Sequence, residues 1–244
     1  SIGRIESLSG PAEATRADGT KVTLQQGTEI FSGDVLETGV GAAIGIILAD
    51  DSTISLAERG RMVMDDVAYD PDTQEGNATI SVVQGVFSFV SGQIAKTGPD
   101  AMVLKTPVAT LGIRGTKVAG QAAAEGEENT ISLLPDADGS IGEISVTNSG
   151  GTVLLNQAGA TVQLFSGLVP PPPPTIVPVA QIQQQFSQAL NSLPPSPPPR
   201  DANGNRPGEG PEAQGEPQEG DSPPGEGERD PGEDGPNNFG QPSF

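Results

Sequence analysis

Short runs of alternating apolar and polar residues dominate the first two thirds of the chain. Ile2-Gly3-Arg4-Ile5-Glu6-Ser7-Leu8, Val22-Thr23-Leu24 and Val35 to Thr38 alternate with period two, the signature of a strand with one buried face. Ala42 to Leu48 is instead apolar throughout, as for a strand covered on both faces. Ile54-Ser55-Leu56 and Met62-Val63-Met64 follow, separated by turn chemistry at Asp50-Asp51 and Arg59-Gly60. Residues 65–77 are acidic and polar and read as a surface loop. Ala78 to Val83 and Val86 to Val90 read as a strand pair joined at Gln84-Gly85, with Phe87 and Phe89 on one face as the first choice for the core. Further strands are expected at Met102 to Leu104, Ile131 to Leu134, Gly142 to Thr147, Thr152 to Leu155 and Thr161 to Leu164. No segment before Leu168 holds a helical period over three turns. The expectation is an all-β domain over residues 1–168. Turn, short strand and glycine corner recur irregularly at Thr20 to Gly27, Ser52 to Gly60 and Gly151 to Gly159, which suggests a twisted β-solenoid-like fold or an irregular sandwich of short strands.

The pattern changes after Leu168. Of 24 prolines, 19 lie from Pro170 onward, opening with the run Pro170 to Pro174, a semi-rigid polyproline spacer. Within the Pro-rich linker 169–199, residues 179–193 take a helical period: Ile182, Phe186 and Leu190 recur every four residues behind Pro178. A helix of this length is marginal alone in water, so it either docks back on the β-domain or binds a partner. Residues 200–244 are rich in Pro, Gly and Glu and have almost nothing to bury. They are expected to form a disordered acidic tail, acting as a spacer or carrying a polyproline docking motif.

Charge and composition narrow the function. The net charge is −20; up to Leu168 there are 9 basic and 21 acidic residues, and beyond it 3 and 11. Both parts repel polyanions, which disfavours nucleic acid and anionic membrane surfaces. The chain has no Cys and no His, which removes thiol nucleophiles, histidine bases, Ser-His-Asp triads and Cys/His zinc sites. No run approaches the roughly 18 apolar residues of a membrane helix. Trp is absent and Tyr69 is the single tyrosine, a poor endowment for stacking on sugars. The adjacent carboxylates Asp50-Asp51 and Asp65-Asp66 point to opposite faces of a strand unless a bend brings them together, so no catalytic pair is assigned. Calcium is the one metal the residues suggest, at Asp70-Pro71-Asp72 and at Asp136-Ala137-Asp138-Gly139-Ser140. Neither follows the EF-hand spacing, and Asp138-Gly139 reads equally as a hairpin turn. The reading is a non-enzymatic chain with no required cofactor. The chain does not begin with Met and reads as processed or as a piece of a longer protein.

One stretch stands apart: Thr106-Pro107-Val108-Ala109-Thr110-Leu111-Gly112-Ile113-Arg114-Gly115-Thr116-Lys117. It reads as two short strands joined at a corner bracketed by Gly112 and Gly115, with Arg114 between them. It resembles the Thr-Pro-x-Ala-x-x-Gly-x-Arg-Gly-Thr motif of FecR-family domains. Gln26 to Gly39, which includes Gly33-Asp34, and Ile47 to Leu56, which includes Asp51, are similar to two further segments of that family, and Ile144 to Gly159 to its closing strands. The likeness covers roughly residues 1–165. It implies a solenoid-like all-β fold and a set of structural motif residues: Gly33, Asp34, Asp51, Thr106, Pro107, Gly112, Arg114, Gly115 and Thr116. Arg114 is expected to be partly buried and held by Asp34 or Asp51, at a cost on the order of 3 kcal/mol if removed. The alternative leaves it exposed to recognise a partner's carboxylate.

The resemblance also implies a protein partner in the bacterial cell envelope and a periplasmic, surface or secreted location. The first functional expectation is a structural or protein-interaction module of a larger secreted or surface protein. The alternative is a periplasmic signal-transduction module of the iron-uptake regulator type, whose members carry an anti-sigma segment and a membrane helix before this domain.

Overall fold

The computed structural model describes residues 1–98 and 100–198. The tail expected from Arg200 lies outside the described residues. In chain order the strands are β1 (Gly3–Ser9), β2 (Ala12–Thr15), β3 (Lys21–Thr23), β4 (Glu29–Ile30), β5 (Val35–Thr38), β6 (Ala43–Leu48), β7 (Thr53–Leu56), β8 (Arg61–Tyr69) and β9 (Gly76–Val90). A single 3-10 turn, Ile94–Lys96, leads to β10 (Met102–Lys105), β11 (Thr110–Arg114), β12 (Lys117–Ala122), β13 (Asn129–Leu134), β14 (Glu143–Asn148), β15 (Gly151–Leu155), β16 (Ala160–Leu164) and β17 (Thr175–Ile176). Two short helices close the described chain, α1 (Val179–Gln185) and α2 (Ser187–Ser192).

These strands form two layers that share β9. One layer, sheet A, runs β4-β1-β6-β7-β9-β12-β13-β16-β17. The other, sheet B, runs β3-β2-β5-β8-β9-β10-β11-β14-β15. Every pairing is antiparallel except β9 with β10. From β6 onward the chain alternates between layers, mostly a hairpin at a time. Of the two architectures expected, the arrangement is the sandwich.

The apolar alternation explains the layering. Leu36, Met62, Met64, Ile80, Val82, Leu104, Leu111, Ile113, Ile144 and Val146 point inward from sheet B. Ile5, Ile44, Ile46, Ile54, Leu56, Phe87, Phe89, Val118, Ile131, Leu133 and Val162 meet them from sheet A in one continuous core. Phe87 and Phe89 are fully buried, as expected. The Gln84-Gly85 turn is not a reversal. Up to Gln84, β9 pairs in sheet B with β8; from Gly85 it pairs in sheet A with β12. Gly85 adopts a φ of +109°, and a Cβ there would lie 2.7 Å from the Gly60 Cα. The chain changes partners without changing direction, which is why two strands with a turn merge into one bent strand. The acidic loop expected at 65–77 also shrinks. Strand β8 runs to Tyr69, because Asp65 and Asp66 are engaged by Ser81 and Asn77 of β9.

The domain boundary expected at Leu168 moves. The chain beyond it adds β17 to sheet A and then lays both helices across the outer face of that sheet. In register, Ser7, Gly45, Ser55, Ser88, Ala119, Ser132, Thr161 and Thr175 form one row across eight strands. All are small, so the row is a trench on the outside of the sheet. Ile182 and Phe186 are buried there against Ala119 and Leu134. The Ser55 hydroxyl donates to the Ala189 carbonyl at 2.7 Å, and the Ser7 hydroxyl to the Ser192 carbonyl at 2.9 Å. A Cβ on Gly45 would sit 2.2 Å from the Ser192 oxygen. The helical period at Ile182, Phe186 and Leu190 therefore serves the chain's own sheet, with Leu190 half-buried.

Removing the Phe186 ring is expected to lower unfolding free energy by about 3 kcal/mol. Gly45→Ala should also destabilise, by pushing Ser192 off the sheet. Urea denaturation of the two variants checks both; an unchanged midpoint in each would mean the helices add nothing to the fold.

Candidate functional site

The signature stretch crosses from one layer to the other at one end of the sandwich. Thr106 to Ala109 is a tight turn between β10 and β11. The Thr106 amide donates to the Ala109 carbonyl at 2.8 Å, and the Ala109 amide returns to the Thr106 hydroxyl at 3.1 Å. Pro107 sits exposed at the turn, where its fixed φ is suited and its missing N–H costs nothing. Val108 and Ala109 are buried. Along β11, Leu111 and Ile113 face the core while Thr110, Gly112 and Arg114 face outward from sheet B. Gly115 then turns the chain with a φ of +58°. Thr116 is fully buried at the start of sheet A: its amide donates to the Ser91 hydroxyl at 3.0 Å, and its hydroxyl to the Leu134 carbonyl at 3.1 Å.

Ser91 connects this corner to the second family-like segment. The carboxylate of Asp50, buried in the β6–β7 turn, accepts the Ser52 amide at 3.0 Å, the Ser52 hydroxyl at 2.7 Å and the Ile94 amide at 3.1 Å. The Ser52 hydroxyl in turn accepts the Gly92 amide at 2.9 Å. Asp51 is the residue that makes the bend, with a φ of +69°, a conformation Asp adopts more readily than most residues. The turn at 50–52, the loop 91–94 and the corner at Thr116 thus form one buried polar clamp. The sequence marks Asp50 as a turn residue and as half of an adjacent carboxylate pair, but places only its neighbour Asp51 among the motif residues.

Asp34 lies elsewhere. It is buried in the turn before β5, where its Oδ2 accepts the Phe31 amide at 2.8 Å and a guanidinium nitrogen of Arg16. A second Arg16 nitrogen donates to the Glu29 carbonyl at 3.0 Å, and the guanidinium stacks 4.9 Å from the Phe31 ring centre. Gly33, with a φ of +85°, forms this turn beside Ala17. The expected partnership of Arg114 with Asp34 or Asp51 is therefore corrected. Asp34 is occupied by Arg16, which the β2–β3 hairpin brings over it. Arg114 is exposed and, among the described residues, makes no side-chain hydrogen bond or ion pair, although Glu143 is its register partner on β14. Arg16 was missed because nothing local in the sequence marks its pairing.

Several of the remaining carboxylates cap turns, whereas the Asp136 Oδ1 is buried with no hydrogen-bond partner among the described residues. Asp70 accepts the Asp72 amide at 2.9 Å, and Asp138 the Ser140 amide at 2.8 Å. Among the described residues no three acidic side chains gather where a metal ion could be held. Burial holds the Asp136 carboxyl above the usual aspartate range; Asp138 adds to the effect, and Lys117 and Lys96 oppose it.

With the geometry in place, the class is an all-β sandwich whose signature residues stitch its turns together. Residues 34–136 match the family model described as FecR protein. The match opens at Asp34 and ends at Asp136, while the sandwich continues on both sides of it. No curated protein matches the chain. Among solved structures, a cell surface anchoring domain is 25% identical over 25% of this chain and 79% of its own, with a TM-score of 0.24. A putative anti-sigma factor from Parabacteroides distasonis, in two crystal structures, is 12% identical over 64% of this chain and 74% of its own, with a TM-score of 0.42.

Two outcomes test this arrangement. Arg16→Ala leaves the Asp34 charge buried and unpaired and is expected to lower stability by about 3 kcal/mol, whereas Arg114→Ala should stay within about 0.5 kcal/mol of the parent. Thermal melts compare them, and equal losses would refute the assignment. Desolvation raises the Asp50 pKa above the usual aspartate value, against the pull of its bonds from Ser52 and Ile94. As pH climbs from that usual value through the folded pKa, the unfolded chain releases this proton first, so the Asp50 contribution to stability falls with rising pH. Carbon-detected NMR should show Asp50 titrating above Asp18 and Asp138, both held low by their own hydrogen bonds.

Proposed function

We propose that this chain is a non-enzymatic, FecR-type protein-interaction module of a bacterial secreted or cell-envelope protein. The observation that carries the reading is Arg114. It stands at the corner of the signature motif, exposed and unpaired among the described residues. Every ion pair among those residues lies before residue 62. An exposed guanidinium fork on a rigid strand end suits a partner's carboxylate. The absence of His and Cys and the use of the carboxylates within turns support a role without catalysis and without a cofactor. The family itself supports a periplasmic, surface or secreted setting.

The second reading, a periplasmic sensor of the iron-uptake regulator type, also follows from the family. The identity of the partner separates the two. In a pull-down from bacterial envelope extract, the 244-residue chain is expected to retain a protein that Arg114→Glu loses while its melting temperature is unchanged. Equal capture by parent and variant would remove Arg114 from the interface. An outer-membrane receptor as the captured protein would favour the sensor, and any other envelope protein the structural module.

A further inference from the structure

Strand β16 is paired unequally along its two edges. On one edge β13 matches it from Thr161 to Leu164; on the other, β17 matches only Ala160 and Thr161. Val162, Gln163 and Leu164 have no strand partner on that outer edge among the described residues. The chain returning past them is Pro170 to Pro174, which has no amide hydrogens to offer. Between this bare edge and the proline run lies a groove of about 490 Å³, lined by Leu164, Phe165, Val169, Pro170, Pro172 and Pro173. Phe165 and Val169 are 53% and 62% exposed there.

An acidic turn lies beside the groove. The turn that contains Glu125, Glu127 and Glu128 abuts it: the Gly126 amide donates to the Phe165 carbonyl at 2.7 Å. The Gln163 side chain donates to Glu128 at 3.1 Å, and the Gly167 amide to Glu125 at 3.0 Å. Hydrogen bonds from Ser166 and Gly167 hold the Glu125 carboxyl below the usual glutamate range, so it stays charged at neutral pH. An unpaired strand edge, an apolar slot and a neighbouring negative turn together describe the receiving side of strand addition.

We infer that this groove receives an extended peptide as an added strand on β16, with one large apolar side chain in the slot and basic side chains on the Glu125–Glu128 turn. The inference deepens the interaction reading above and rests on it, but it uses a different surface from Arg114. The competing account is that the proline run only shields the edge from unwanted pairing.

The test uses the 244-residue chain and a synthetic peptide of alternating Lys and Val with a central Phe, followed by amide NMR and calorimetry. Binding is expected to shift the amides of residues 162–167. Phe165→Ser should weaken it about tenfold. Replacing Lys by Glu in the peptide should abolish it. Two peptides N-methylated on complementary alternate nitrogens separate a strand from a greasy contact: one should lose binding and the other keep it. No binding at about 1 mM, or equal binding of both methylated peptides, would overturn the inference. If the Arg114-dependent capture persists in that case, the interaction reading stands and only the groove falls. If that capture is absent while the peptide binds, the Arg114 interface falls and the groove stands.

Discussion

One strand holds the two layers of this molecule in register. Because β9 belongs to both sheets, the position at which it changes partners sets where every other strand can lie. Toward its start it serves β8 and β10; past Gly85 it serves β7 and β12. A slip of one residue on either side of Gly85 would turn Phe87 and Phe89, or Ile80 and Val82, out of the core. The bend therefore couples the two halves of the core, and its tolerance is small: any side chain at Gly85 meets the Gly60 backbone.

The signature residues gain their meaning from that geometry. Thr116, Ser91, Ser52 and Asp50 join three loops at the end of the strands, where side chains supply most of the partners. Buried polar groups of this kind are expensive unless satisfied, and here their bonds converge on one another. The clamp fixes the crossing from β11 to β12, and that crossing leaves Arg114 standing clear. A motif that looks like a recognition sequence is mostly a set of stitches, with Arg114 left exposed.

Much of this was legible in the chain. Strands with period two, the Phe87–Phe89 core pair and the helical spacing of Ile182, Phe186 and Leu190 are local signals, and they survive in the structure. What failed depended on contacts distant in sequence. The partner of Asp34 is decided by how the β2–β3 hairpin lies over the turn at Phe31, which no spacing rule reveals. The trench under the helices is built from one small residue on each of eight strands, so it exists only once all their registers are known. For the same reason the proline run at Pro170 reads as a change of composition, and only the registers show that the chain beyond it adds β17 and two helices to sheet A.

The Ser7–Ser192 hydrogen bond has a mechanical consequence. Strand β1 belongs to the opening of the domain and α2 to the close of its described part, yet the two are fastened to each other on the outer face of sheet A. A pull transmitted through the chain after residue 198 would reach the sandwich beside its first strand. The load would then peel the helices from the trench step by step before it could shear the ladder of strands beneath. Under such a load the two helices would yield before the sandwich does.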